Sequence, residues 1–185
     1  MASVRLYTAT SIDGFIADRD GSVDWLLPYN GRLYGHDKFV AEMGALVMGR
    51  RTFELIRATG EDWPYAGKTV VVLSSQSLGR LPPGVTIAAR GLWEGLQHAR
   101  KHTSRDIWIV GGAVTIQSAL DEGLVDLIEI FLVPVLLGKG LNMLNDLTRR
   151  PSLSFDGMDT FPDGVVKVRY RVTRSAAQMT PAPRA

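Results

Sequence analysis

The chain holds 185 residues with a hydrophobic share of 45%, enough for one sizeable core and too little for two independent ones. It contains no cysteine, which excludes disulfides, thiolate nucleophiles and sulfur-ligated metals. The formal charge of +2 hides an asymmetry: five of the 21 basic residues (Lys167, Arg169, Arg171, Arg174 and Arg184) follow residue 164, where no acid occurs, leaving 16 bases against 19 acids before it.

Lys167, Arg169 and Arg171 alternate with Val166, Val168 and Tyr170, so they read as the wet face of a strand and not as a nucleic-acid footprint. No run approaches the roughly 20 apolar residues of a membrane span; the longest, Phe131–Leu137, is interrupted by Pro134. The first residues lack the succession of a secretory signal, and a cytoplasmic protein is expected. His98 and His102 stand at helical i,i+4 spacing with no third ligand nearby in sequence, which reads as a solvated helix face, so no metal site is expected.

In chain order, Val4–Ala9 is strand-like and leads into a glycine-punctuated loop, Ser11–Ala17, whose apolar residues suit a site wall. The spacing predicts a helix over Tyr34–Met43, a buried strand over Ala45–Met48, and a turn, Gly49–Thr52, entering helical Phe53–Ile56. Strand-like runs follow at Lys68–Leu73 and Val85–Ala88, then a helix over Leu92–His102. Ile107–Val110 is a continuous apolar strand ending at Gly111-Gly112, with a helix from about Val114 to Asp121. Leu127–Val133 and Val165–Val172 are the last strands, and residues 175–185, without periodicity, are expected to be a disordered tail. Repeated strand, loop and helix units call for a sheet with helices on both faces.

Three of these strand ends suit a phosphate. Val110-Gly111-Gly112 lets backbone approach a ligand at a helix start, where free amides and the helix dipole favour an anion and Thr115 can add a hydroxyl; a tight turn alone would also use this glycine pair. Gly49-Arg50-Arg51-Thr52 offers a second helix start with a guanidinium fork, and at most one of its two arginines can aim inward. Ser74-Ser75-Gln76 suits a phosphate on a ribose, or is a solvated loop. A dinucleotide with an extra ribose phosphate would give each a separate role. No Gly-x-Gly-x-x-Gly opens a first βαβ unit, which argues against a true Rossmann dehydrogenase.

The ordered motifs Ser11–Ala17, Asp24-Trp25, Val47–Phe53, Val72–Ser75, Ile109–Gly112, Gly123–Asp126 and Val133–Gly138 resemble the dihydrofolate reductase-like superfamily. The last two are most similar to the branch of the C-terminal reductase domain of bifunctional riboflavin-biosynthesis deaminase/reductase proteins. The resemblance implies one α/β domain over residues 1–174, three-layered, with a central, mostly parallel mixed sheet and helices on both faces. It implies NADP as cofactor, with Ala9, Ile16 and Ala17 framing the nicotinamide. Gly49, Arg50 and Thr52 would hold phosphates, Arg50 favouring the 2′-phosphate. Ser74 and Ser75 would lie on the adenosine side, and Val110, Gly111, Gly112, Ala113, Val114 and Thr115 would cradle the pyrophosphate.

On the substrate side, the carboxylate of folate reductases aligns without gaps near Leu33, with Asp37 one helical turn later. Asp37 and Asp13 are the candidate catalytic carboxylates, although Asp13 before Gly14 also suits a turn-stabilising role. Trp25 and Phe53 are the candidates to line an aromatic substrate slot, or else packing residues. The expected activity is a stand-alone NADPH-dependent reductase acting on a small heterocyclic or imine-like compound. Dihydrofolate reduction and non-catalytic NADP binding are the alternatives. A homodimer is expected from the resemblance and from the apolar Phe131–Leu137 run, which core packing also explains.

Overall fold

Runs without polar alternation fold as the middle of an eight-stranded sheet, because both of their faces are buried. In the computed structural model, which describes residues 2–29, 34–60 and 62–173, these strands are β3 (Met43–Gly49), β4 (Thr69–Leu73) and β6 (Asp106–Gly111). Alternate residues serve opposite faces: Ala45, Val47, Val71, Ile107 and Ile109 join one core, and Leu46, Met48, Val70, Val72 and Trp108 join the other. Helices α3 (Leu92–His102) and α4 (Ala113–Asp121) cover the first face through Leu92, Leu96, Ile116 and Ala119. Helices α1 (His36–Glu42) and α2 (Arg50–Ala58) cover the second through Phe39 and Phe53. The three-layer α/β arrangement expected from the sequence is the one observed.

The strands β1 (Val4–Ser11), β5 (Val85–Ala88), β7 (Leu127–Val133), β9 (Ser152–Thr160) and β10 (Val166–Thr173) complete the sheet in the order β5-β4-β3-β6-β1-β7-β10-β9. The first six are mutually parallel, and β10 and β9 run antiparallel. β6 is inserted between β3 and β1, so the chain's winding reverses there and the ends of β1, β3, β4 and β6 open at one edge. Ligands of open α/β sheets gather at such a reversal.

The periodicity did not predict β9. Its apolar residues change parity between Phe155 and Met158, because the β9–β10 register shifts at Arg169/Tyr170 and the bulge breaks the alternation. Within the Ser11–Ala17 loop, β2 (Phe15–Ala17) pairs with β8 (Leu141–Asn142), which makes the loop part of a small ribbon. Asp24–Tyr29 forms a 3-10 segment, and the helix predicted from Tyr34 begins at His36. Leu33 and the tail expected over 175–185 lie outside the described residues.

One buried charge cluster ties the parallel and antiparallel parts together. Glu129 on β7, 1% exposed, receives Arg5 of β1 at 2.7 Å and Lys167 of β10 at 2.8 Å, and Arg5 also reaches Glu42 of α1 at 2.9 Å. A carboxylate so deeply buried is tolerable only when paired in this way.

Candidate active site

The β3–α2 and β6–α4 turns interlock. A Cβ on Gly49 would stand 2.9 Å from Thr115 Oγ1 and 3.7 Å from the Gly111 carbonyl oxygen, and one on Gly112 would lie 3.5 Å from Thr52 Oγ1. Gly111 has φ of +134°, a conformation that side chains disfavour, and its peptide bond to Gly112 is cis. Neither Gly49 nor Gly112, which precede α2 and α4, caps its helix through a side chain, and neither first turn carries an acid. Two helix starts with free amides and positive dipole ends therefore meet at one edge, as an anion site requires.

The third strand end joins them through Arg50. Its guanidinium donates to the side-chain carbonyl of Gln76. Ser74 Oγ accepts from the Gln76 amide at 3.0 Å and donates to the Gln76 carbonyl at 2.9 Å, which shapes the turn after β4 and places exposed Ser75 in it. The competing contact of Arg50 with Glu54, at 3.9 Å between partly exposed groups, is weak. Arg51 is exposed, so one arginine of the pair turns toward the strand ends. Val110 and Ala113 are half-buried, Thr115 is buried beneath Gly49, and Val114 leaves 82% of its surface open in the first turn of α4.

Beside this edge, over β1 and β7, lies a cavity of about 210 Å³ lined by Tyr7, Ala9, Leu26, Tyr29, Tyr34, His36, Phe131, Val133 and Val165. Tyr7 and Ala9 share one face of β1, and Phe131 and Val133 share that face of β7, since Ala9 pairs with Phe131 in register. His36 opens α1, its ring edge-on to Trp108 at 5.8 Å and 6.2 Å from the Tyr7 ring. Tyr34 packs on Phe131 and Phe161 and donates to Asp163 of the β9–β10 turn. Burial lowers the His36 pKa, with Asp37 opposing the shift weakly, so the imidazole favours its neutral form. Burial and Glu129 push the Tyr7 phenol up, and burial together with Asp163 raises Tyr34 to about 12.

Several sequence candidates stand outside this cavity. Asp37 follows His36, but its side chain is fully exposed, because the helix register turns residue 36 inward and residue 37 to solvent. Phe53, 1% exposed, packs against Trp63 over β3 and β4 and not over β1 and β7. Trp25 packs on the same core, while its 3-10 neighbours Leu26 and Tyr29 line the cavity. Asp13 works as a tie: its carboxylate accepts from Ser11 Oγ at 2.6 Å and from the Leu137 and Gly138 amides at 3.1 and 2.7 Å. The Ser11 hydrogen bond, followed by those amides, holds its pKa below the usual carboxylate range. The tie anchors the β1–β2 loop, where Ile16 packs on the α3–α4 core and Ala17 is buried at 6% exposure. His36, Tyr7, Tyr34 and Phe131 were missed by sequence reasoning. The signal was the shared parity of Tyr7 with Ala9 and of Phe131 with Val133.

Among the described residues no group of three His, Asp or Glu could hold a metal, and no helix is long and apolar enough to cross a membrane.

Comparison with known proteins extends this geometry. The profile of the RibD C-terminal domain matches residues 2–167. A crystal structure from Shewanella sp. PV-4, described as that of a candidate riboflavin biosynthesis protein, is 31% identical and superposes with a TM-score of 0.79, covering 94% of this chain and 100% of that one. The uncharacterised protein YwjB of Bacillus subtilis (strain 168) is 30% identical over 161 residues, 86% of this chain and 92% of YwjB. A diaminohydroxyphosphoribosylaminopyrimidine deaminase/5-amino-6-(5-phosphoribosylamino)uracil reductase from Thermotoga maritima shares the fold at 19% identity and a TM-score of 0.68, over 93% of this chain and 57% of that one.

Proposed function

The chain belongs to the RibD C-terminal domain family, and from that premise we propose that it is an NADPH-dependent reductase that delivers hydride to a small heterocyclic or imine-like acceptor in the cavity over β1 and β7. The observation that carries this reading is the convergence of two uncapped helix starts, a close-approach glycine and Arg50 beside a pocket that shares Ala9 with β1.

The residues present fit a phosphorylated dinucleotide. The starts of α2 and α4, with Gly49, Thr52, Gly111, Gly112, Ala113 and Thr115, would hold the pyrophosphate through amides and hydroxyls. Arg50 with Ser74 and Ser75 would hold the 2′-phosphate, and Ala9, Ile16 and Ala17 would frame the nicotinamide, with Val110 and Val114 as apolar flanks. When bound, the reduced nicotinamide supplies the hydride. The chain's own contribution is placement: the Asp13 tie fixes the loop that carries Ile16 and Ala17, and the aromatic cavity excludes water from the acceptor. Asp37, fully exposed beside His36, is not among the residues that line the cavity.

Fluorescence titration with NADPH and NADH tests the reading. NADPH is expected to bind at least about tenfold more tightly, a difference that Arg50→Ala removes, as loss of a charge-assisted phosphate contact implies. Absence of binding by either cofactor overturns it. The protein is proposed to act in the cytoplasm.

We further propose a homodimer, joined through the β9–β10 ribbon. On one face of that ribbon Met158, Phe155 and Leu153 stand opposite Val168, Tyr170 and Val172, and the first three are 55%, 66% and 47% exposed. Those three alone leave on the order of 300 Å² of apolar surface open, the scale at which patches on soluble proteins mark contacts. The Phe131–Leu137 run is a poorer candidate, since Phe131 and Val133 are buried at 5% and 2% exposure.

A further inference from the structure

Helix α1 is mounted so that its first residue is held at the cavity. Cations from three places in the chain grip its far end: Lys68 Nζ donates to the Met43 carbonyl at 2.7 Å, Arg105 donates to the Ala41 carbonyl, and Arg5 pairs with Glu42 at 2.9 Å. One turn after His36, the Phe39 ring stacks on that of Tyr7 at 3.8 Å. Trp108, edge-on to His36, donates its indole N–H to the Tyr7 carbonyl at 3.0 Å. The imidazole is thus placed by packed rings and an anchored helix, as a group with a chemical task must be. It also joins two environments: it lines the cavity, yet half of its side chain is open to solvent, where Asp37 Oδ1 lies 3.9 Å from Nδ1.

The groups that face it come from several elements. Tyr7 of β1, Tyr29 of the 3-10 segment and Tyr34 ahead of α1 share the cavity wall, and Asp163 of the β9–β10 turn accepts the Tyr34 hydroxyl. Lys167 of β10, 5.2 Å from the Tyr7 ring centre, shares Glu129 of β7 with Arg5. Burial and Glu129 push the Tyr7 phenol up and Tyr34 stands at about 12, so both phenols keep their protons at neutral pH. Burial lowers His36 from 6.5 while Asp37 opposes the shift, and an imidazole in that range can both gain and lose a proton during turnover.

On the reading that this is a reductase, we infer that His36 is its proton donor, charged from solvent on the Asp37 side and discharged onto the acceptor nitrogen in the cavity. The carbon of the acceptor C=N bond gains the hydride and the π electron pair moves to nitrogen. Nitrogen takes the proton as an imidazolium N–H bond breaks, so the acceptor is reduced by two electrons and the nicotinamide is oxidised. Neutral His36 then takes its next proton from solvent. Asp37 is a positioning residue in this scheme: it favours the charged ring without touching the acceptor.

The pH dependence of kcat/KM with NADPH, using 7,8-dihydropterin and 5-amino-6-(5-phosphoribosylamino)uracil as probes, tests the inference. The parent chain is expected to lose activity about tenfold per pH unit above an inflection below 6.5, since the donor must be protonated. His36→Gln is expected to lower kcat about 10²-fold or more, to abolish the inflection and to leave NADPH affinity unchanged. Asp37→Asn is expected to keep the inflection and move it to lower pH. Nitrogen-15 NMR of the three histidines of the parent chain needs no variant to fold: adding pterin to the NADP-saturated protein is expected to move the His36 signals and not those of His98 and His102 on α3. A flat pH profile in the parent, an inflection that survives His36→Gln, or unmoved His36 signals overturns the inference. So does the absence of turnover of both probes by a protein that binds NADPH. Failure of NADPH itself to bind overturns the reductase reading instead.

Discussion

The middle of the sheet and its β7–β10–β9 flank obey different rules. In the middle, β3, β4 and β6 bury both faces, and every residue from Ala45 to Met48 is fully buried. In the flank, one face of β10 carries Lys167, Arg169 and Arg171, with Arg171 paired to Asp156 at 2.7 Å, while the other face leaves Phe155 two-thirds exposed. The middle supplies rigid strand ends on which ligand-binding turns can be placed. The flank supplies surfaces: a cavity on one side and an apolar face on the other. The middle is buried on both faces and the flank leaves one face open, which makes the contrast testable.

The largest expected effect is at the junction. Glu129→Ala leaves Arg5 and Lys167 partly buried without their shared partner, and chemical denaturation should register a loss of about 3–5 kcal/mol. Next comes the middle itself, where Ile107→Ala, at a fully buried position with both neighbouring strands parallel, should cost about 2–5 kcal/mol. By contrast, Phe155→Glu in the flank should leave monomer stability within about 1 kcal/mol of the parent while shifting sedimentation from dimer to monomer. An unchanged dimer combined with a monomeric Leu136→Glu variant would move the interface to the Phe131–Leu137 side. A monomeric parent protein would remove it altogether.

The smallest expected effect is a pH slope. His36 has a folded pKa below 6.5, so the unfolded chain binds the proton more readily. Stability should therefore fall as pH drops through the window beneath 6.5, and His36→Gln should flatten that slope in thermal melts. A slope unchanged in the variant would show that the imidazole is not desolvated by the cavity.

The fold was legible wherever the governing interactions are local. Continuous apolar runs announced β3, β4 and β6, and glycines at the ends of β3 and β6 announced the turns where two helix starts meet. β9 was not legible, because a bulge moves its apolar residues from one parity to the other. The cavity was not legible either, since it is assembled from β1, the 3-10 segment, α1, β7 and the β9–β10 turn, which meet only in three dimensions. Residue type alone pointed to Phe53 and Trp25, both aromatic and both used for packing. Asp13 suggested a local turn, and its partners Leu137 and Gly138 lie more than a hundred residues away.

The position of β6 between β3 and β1 has a consequence for how the chain is made. During synthesis β1, β3 and β4 leave the ribosome without the strand that joins them, so the first half of the protein waits with two unsatisfied sheet edges until residue 111 has emerged. Such long-range closure slows folding and exposes edges to aberrant pairing. Truncations ending before β6 should accordingly be aggregation-prone, and nascent chains of that length are where a chaperone would be needed.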